Sequence, residues 1–202
     1  MFTWKTTCSF PEHWRGDLMI QLGARPAAGF DDPLRMLSDC HRRIEWFLGS
    51  LYNVDQVAGE TLTPAERQAL ESALGYFATS GVVHTQDEDE SLFPRLRSCA
   101  DDHPCVHAVL ETLERLDLDH QLAHEEHKVV ERLIQTWLRD GMLTPDSREN
   151  LKLVLESLRE RYRGHIELED SVVFPLARTV LSATVIETVG KEMRQRHTSY
   201  LR

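Results

Sequence analysis

One fourteen-residue pattern occurs twice in this chain and limits how everything around it can fold. The first copy is His84-Thr-Gln-Asp-Glu88-Asp89-Glu-Ser-Leu-Phe93-Pro94-Arg-Leu-Arg97, and the second is His165-Ile-Glu-Leu-Glu169-Asp170-Ser-Val-Val-Phe174-Pro175-Leu-Ala-Arg178. Both read H-x3-E-D-x3-F-P-x2-R at an offset of 81 residues, and the same offset aligns Leu62-Thr63-Pro64-x-x-Arg67 with Leu143-Thr144-Pro145-x-x-Arg148. The whole repeated segment therefore keeps its register without net insertion. On a helix, residues i and i+4 project from one face. Each copy thus presents an imidazole beside a carboxylate.

Hydrophobic periodicity places the two copies on the second and fourth helices of an all-α chain. Asp32-Pro33 reads as an N-cap followed by proline at the first helical position. Leu34, Leu37, Ile44, Leu48 and Leu51 then mark one buried stripe, with His41 inside it, to about residue 56. Thr63-Pro64-Ala65-Glu66 is a capping box. It opens a second helix whose inward face holds Leu70, Ala73, Phe77, His84 and Glu88, and Pro94 is expected to kink or end it. A third helix after Asp101-Asp102 carries Val106, Val109, Leu113, Leu116, Val130, Ile134 and Trp137, with His120, His124 and His127 on or beside the stripe, and ends at Asp140-Gly141. The fourth, from Thr144-Pro145, turns Leu151, Leu155, Leu158, Tyr162, His165, Glu169, Val172 and Leu176 inward. A short fifth helix spans about residues 182–198. Short loops predict an antiparallel up-down-up-down four-helix bundle over 32–202, preceded by an irregular arm over 1–31.

Composition narrows the function classes. The net charge of −10 at 202 residues, with no basic stripe, argues against nucleic acid and against an anionic membrane surface. No apolar run approaches the about 18 residues of a transmembrane helix, and with Lys5, Glu12, His13, Arg15 and Asp17 spread through the first residues no apolar h-region and no secretory signal is evident. The four cysteines lack C-x2-C spacing. The expected compartment is the cytoplasm. Cys40 adjoins His41 but points about 100° away around the helix. Cys99 and Cys105 flank a loop that a reversible disulfide could close. Tyr162 lies one turn before His165. His13, His103, His107 and His197 are expected at the surface.

An apolar core cannot hold two unpaired carboxylates, because an ionised group buried without a partner is very costly. A pair of divalent cations removes the conflict, since two glutamates plus an oxide or hydroxide bridge largely neutralise their charge. Imidazoles with carboxylates suit iron, and manganese or zinc fit the same cage. A single inward histidine is more often a hydrogen-bonded core residue. Two H-x3-E pairs in phase, with lone inward histidines on both other helices, favour metal. In the acidic tract from Asp87 to Glu90, Glu88 alone is expected to point inward; Glu167 is expected to face solvent.

The pattern H…H-x3-E…H…H-x3-E with its E-x4-F-P tail, from about residue 32 to 180, resembles the hemerythrin-like (HHE cation-binding) family. The resemblance implies a four-helix bundle around a non-heme di-iron centre with an oxo or hydroxo bridge. It implies His41, His84 and His165 as terminal nitrogen ligands, with Glu88 and Glu169 bridging. The third helix leaves alternatives open. His120 best matches His41 in depth, His120-x3-His124 has the spacing of the oxygen-carrying hemerythrins, and His127 in Glu-Glu-His-Lys-Val-Val looks like the family's single-histidine helix. A ferritin-like site fits less well, since it uses Glu-x-x-His pairs. The expected function is binding or sensing of O2, NO or peroxide. The alternatives are turnover of peroxide or NO at the same site, and a metal-stabilised interaction bundle with an unidentified protein partner.

Overall fold

The computed structural model describes residues 28–58 and 61–200, and among them there is no strand. The expected N-terminal arm falls almost entirely outside the described residues. Helix α1 spans Pro33–Val57, with Asp32 accepting from the Arg35 amide at 3.3 Å. Helix α2 covers residues 64–98 as one continuous rod, α3 is Leu110–Asp140, α4 covers residues 145–180 and α5 is Ala183–Tyr200. The predicted caps form. Thr63 and Glu66 close a reciprocal capping box, Thr144 accepts from the Ser147 amide at 3.2 Å, and Gly141 ends α3 with φ of 79°. A left-handed residue of this kind is most easily a glycine.

Neither proline ends its helix. Ahead of each, the backbone opens into a wide turn in which an amide reaches five residues back. Phe93 N–H donates to the Glu88 carbonyl over the segment Asp87–Leu92, and Phe174 N–H donates to the Glu169 carbonyl over Glu169–Val173. Such turns occur mostly as single-turn bulges, often at functional sites. Here they accommodate residues that cannot donate to the normal ladder, so α2 continues to Ser98 and α4 to Val180. The extra residue also shifts the inward face: Val173, not the expected Val172, is fully buried. A third wide turn, Phe77–Gly81, occurs only in α2. The third helix is also shorter than expected, because Pro104–His107 forms a single turn and Val109 leaves helical geometry before α3 begins.

Helix α1 packs on α2 and α4, α4 packs on α3, and α5 lies across the wide turn of α2 and against α1. Two apolar clusters form the core. One gathers Leu34, Leu37, Leu92, Phe93, Leu116 and Phe174, and the other gathers Ile44, Leu48, Leu70, Ile134, Trp137 and Leu158. Each buried side chain of this size contributes roughly 1.5–3 kcal/mol. Between the clusters lies a polar layer. Along α1 it falls at His41, between Leu37 and Ile44. Along α3 it falls at His120, between Leu116 and Ala123. No described helix is long and apolar enough to cross a membrane.

Candidate metal centre

The polar layer brings six side chains from four helices together. His41, His84, Glu88, His120, His165 and Glu169 are all buried, and both glutamates are wholly inaccessible. They form two groups, His41-His84-Glu88 and Glu88-His120-His165-Glu169, whose donor atoms lie within 4.8 Å of one another in each group. Glu88 belongs to both. Its Oε1 lies 3.5 Å from His84 Nε2 and 3.7 Å from His41 Nε2, and its Oε2 lies 3.4 Å from His120 Nε2. Glu169 Oε2 stands 3.1 Å from His41 Nε2 and 3.2 Å from His165 Nε2.

The repeated motif explains this convergence letter by letter, because each copy serves one lone histidine. The α4 copy serves His41: Asp170 Oδ1 lies 3.1 Å from His41 Nδ1, and Phe174 stacks on the ring at 5.5 Å and 14°. The α2 copy serves His120: Asp89 Oδ1 lies 2.8 Å from His120 Nδ1, and Phe93 stacks at 6.0 Å and 5°. The trailing arginines continue the division, with Arg178 donating to Asp32 at the start of α1 at 2.7 Å and Arg97 donating to Asp117 on α3 at 2.5 Å. So do the arginines of the capping segments: Arg148 donates to the Ala58 carbonyl beyond α1 at 3.1 Å, and Arg67 to the Leu138 carbonyl of α3 at 2.6 Å. His41 and His120 are therefore equivalent about an approximate two-fold relation.

The family described as Hemerythrin, the HHE cation binding domain, matches residues 32–177, which contain all six converging side chains. The chain belongs to the hemerythrin HHE family. No curated protein matches it.

The donor set fits the cation binding that defines the hemerythrin domain. Both oxygens of Glu88 and of Glu169, together with His41 Nε2 and His165 Nε2, are buried without a hydrogen-bond partner. Their close approaches are thus ion-pair distances not angled as hydrogen bonds. Such orphaned acceptors are rare in a folded interior unless an ion or water satisfies them. The outer carboxylates complete the fit, since an aspartate on Nδ1 fixes an imidazole ring and directs its Nε2 inward. Asp119 Oδ2 stands 3.7 Å from His165 Nδ1 in the same sense. Burial and donor chemistry suit iron, or manganese or zinc.

Electrostatics in the metal-free protein show what a cation would replace. Burial opposes charge on His41, but Asp170, Glu169 and Glu88 outweigh it and hold its pKa well above the usual histidine value. His120 is likewise opposed by burial yet pushed up to about 10 by Asp89 and Glu88. Burial dominates at His84 and depresses it to about 4. Burial works against charge on Glu88, but His84, His120 and His41 hold it well below the usual carboxylate range. Glu169 is also lowered, by His165 and His41 against its burial and the nearby Glu88.

The other candidates on α3 stand apart. His124 is exposed, and neither it nor His127 belongs to either donor group. His127 Nε2 instead pairs with the Tyr162 hydroxyl at 3.0 Å, the ring packs on Phe77 at 4.3 Å, and burial pushes its pKa down to about 4. A cleft of about 270 Å³ between α2 and α3, lined by Gln86, Asp89, His120, His124, His127 and Tyr162, reaches the edge of the site.

Several finer expectations change. Glu88 is not the only inward member of the acidic tract: Asp87 is 1% exposed, because α5 covers it with Arg196 and His197. His197 is consequently a half-buried ion-pair partner of Asp87, 24% exposed at its side chain, rather than a free surface residue. Glu167 does face solvent, as does His107, and His13 lies outside the described residues. Cys99 is a free thiol donating to the Arg95 carbonyl, so it is not bridged to Cys105. Cys40 is buried, which raises its thiol pKa, and it accepts from Arg43 at 3.1 Å. Asp89 and Asp170, which anchor rings by hydrogen bonds, and Asp119, 3.7 Å from His165 Nδ1, were all missed. The repeated E-D dipeptide was the available signal for two of them.

Proposed function

We propose that this protein is a non-heme di-iron member of the hemerythrin family that binds or senses O2, NO or peroxide, on an up-down-up-down bundle. His41, His84 and Glu88 would hold one iron, and His120, His165, Glu169 and Glu88 would hold the other. The observation that carries this reading is that Glu88 is common to two donor groups while its two oxygens, buried and unpartnered, face different histidines. A single ion would not use both groups. Iron held there would supply the binding and redox chemistry toward a small molecule. The chain's own residues fix the rings through Asp170 and Asp89, exclude bulk water with the two apolar clusters, and admit small molecules along the α2–α3 cleft. The cleft's reach to His120 supports access of a small molecule from solvent to the site.

Metal analysis with visible and Mössbauer spectroscopy, on protein purified without added metal, tests the reading. Two irons per chain with an oxo-bridge charge-transfer band are expected, and Glu88→Ala should lose them. Full folding with no bound metal would instead establish the metal-free interaction bundle. Gas evolution from peroxide, or NO consumption, at catalytic rates by the iron-loaded protein would replace binding and sensing by turnover.

A further inference from the structure

Among the positions at which the two copies of the motif differ, one puts a buried carboxylate in the first copy alone, and it points to α5. Asp87 precedes Glu88, whereas the register partner before Glu169 is Leu168, which packs on an apolar cluster. A buried carboxylate in place of a leucine demands a counter-charge. It comes from beyond the matched family segment. Arg196 Nη1 donates to Asp87 Oδ1, and His197 Nε2 lies 2.7 Å from Asp87 Oδ2. The other nitrogen of the same guanidinium, Nη2, reaches Glu90 Oε2 and Ser91 Oγ, each at 3.2 Å. One side chain, 14% exposed, therefore grips residues 87, 90 and 91. These are three of the six residues of the wide turn that carries Glu88.

We propose that Arg196 is a positioning residue for the metal centre, fixing Glu88 through its grip on Asp87 and the rest of that turn. Turns with five-residue hydrogen bonding are rare and occur mostly as single-turn bulges, often at functional sites. Without the guanidinium, Asp87 retains only His197, and the turn relieves its buried charge by rotating Asp87 toward water. Glu88 is joined to Asp87 by one peptide and moves with it. Iron binding and the docking of α5 are then linked, and each strengthens the other by the same factor. The α4 copy needs no such clasp, because Leu168 is already satisfied by apolar packing. The inference rests on the di-iron reading for its metal readout and on backbone protection for a second, independent one.

The test compares wild type, Arg196→Ala, Arg196→Lys and Glu192→Gln. The last weakens the Arg95–Glu192 pair, which also joins α5 to α2 but leaves Arg196 in place. Iron titration should show Arg196→Ala binding at least tenfold more weakly, with a shifted charge-transfer band, in line with the tenfold to hundredfold cost typical of outer partners. Arg196→Lys should recover part of the loss, and Glu192→Gln should stay within about twofold of wild type. Amide exchange of the metal-free proteins should show residues 87–92 opening at least tenfold faster in Arg196→Ala alone. Equal effects of Arg196→Ala and Glu192→Gln, or unchanged exchange across 87–92, overturn the proposal. Failure of wild type to take up iron sinks the di-iron reading, and exchange still decides the role of Arg196.

Discussion

Asp170 stands 3.1 Å from Nδ1 of His41, while its chain neighbour Glu169 stands 3.1 Å from Nε2 of the same ring. Two consecutive residues of α4 thus hold opposite edges of one imidazole on α1. Glu88 and Asp89 of α2 hold His120 of α3 in the same way, at 3.4 Å and 2.8 Å. The E-D dipeptide is a two-point clamp.

If the clamp orients the ring, Asp170→Ala and Asp89→Ala should each weaken iron binding roughly 10–100-fold. Folding should be little affected, since both side chains are partly exposed. Competition titration against a chelator measures this. Wild-type affinity in both variants would show that the aspartates do not orient the rings.

Stability of the metal-free protein should peak near pH 6.5. His41 and His120 have folded pKa values above the unfolded one. Their contribution is complete below about pH 6.5 and is lost as pH rises through the raised folded values, about 10 for His120, with a slope of about 1.4 kcal/mol per pH unit for each extra proton held. His84 and His127, both lowered to about 4, act in the opposite sense and cost stability as pH falls from about 6.5 to 4. Iron must displace the protons on His41 and His120, so the loaded protein should lose the alkaline slope. Denaturant midpoints across pH 4–10, with and without iron, check both arms.

Substitutions on α3 separate the three histidines. His120→Ala should abolish binding of at least one iron. His124→Ala should leave iron content unchanged, and so should His127→Gln, although the latter breaks the pair with Tyr162 and lowers stability by about 1 kcal/mol. Metal stoichiometry after gel filtration distinguishes them, and iron loss in His124→Ala would restore the two-histidine spacing as the operative one.

Gly190 marks the closest approach of α5 to the chain before α1. A Cβ there would run into the Phe30 carbonyl oxygen, and backbone cannot yield as a side-chain tip can. Gly190→Ala should cost about 1–3 kcal/mol, typical of overpacking. Chemical denaturation reads this directly; an unchanged midpoint would mean that α5 docks less tightly than the contact implies.

Much of this was legible in the sequence. The stripe Leu34, Leu37, Ile44, Leu48, Leu51 is buried throughout, and the caps at Asp32, Thr63 and Thr144 form. Local hydrogen bonds and helical periodicity are encoded within a few residues, so they can be read one helix at a time. The repeat also disclosed both H-x3-E pairs. The choice among His120, His124 and His127 was hidden, because α3 itself carries no copy of the motif. What singles out His120 is Asp89 and Phe93, contributed by another helix. Asp87 was misread for the same reason: the residues that bury it lie more than a hundred positions away, on α5. The prolines misled because their effect on a regular helix was assumed, whereas a wide turn absorbs them.

Those wide turns have a consequence for how the sequence can vary. Each adds one residue to the helical count at the level of the buried glutamate, so the inward stripe below it is indexed in a different reading frame from the stripe above. Leu70 and Ala73 of α2 obey one frame and serve one apolar cluster; Leu92, Phe93 and Leu96 obey another and serve the other. Deleting one residue between positions 88 and 92 would remove that turn's added residue, leaving the turn at Phe77–Gly81 in place, and would turn Phe93 off His120 and Leu96 out of its cluster. The bundle is in this sense two short bundles spliced at a row of carboxylates, and each half can change its packing without consulting the other.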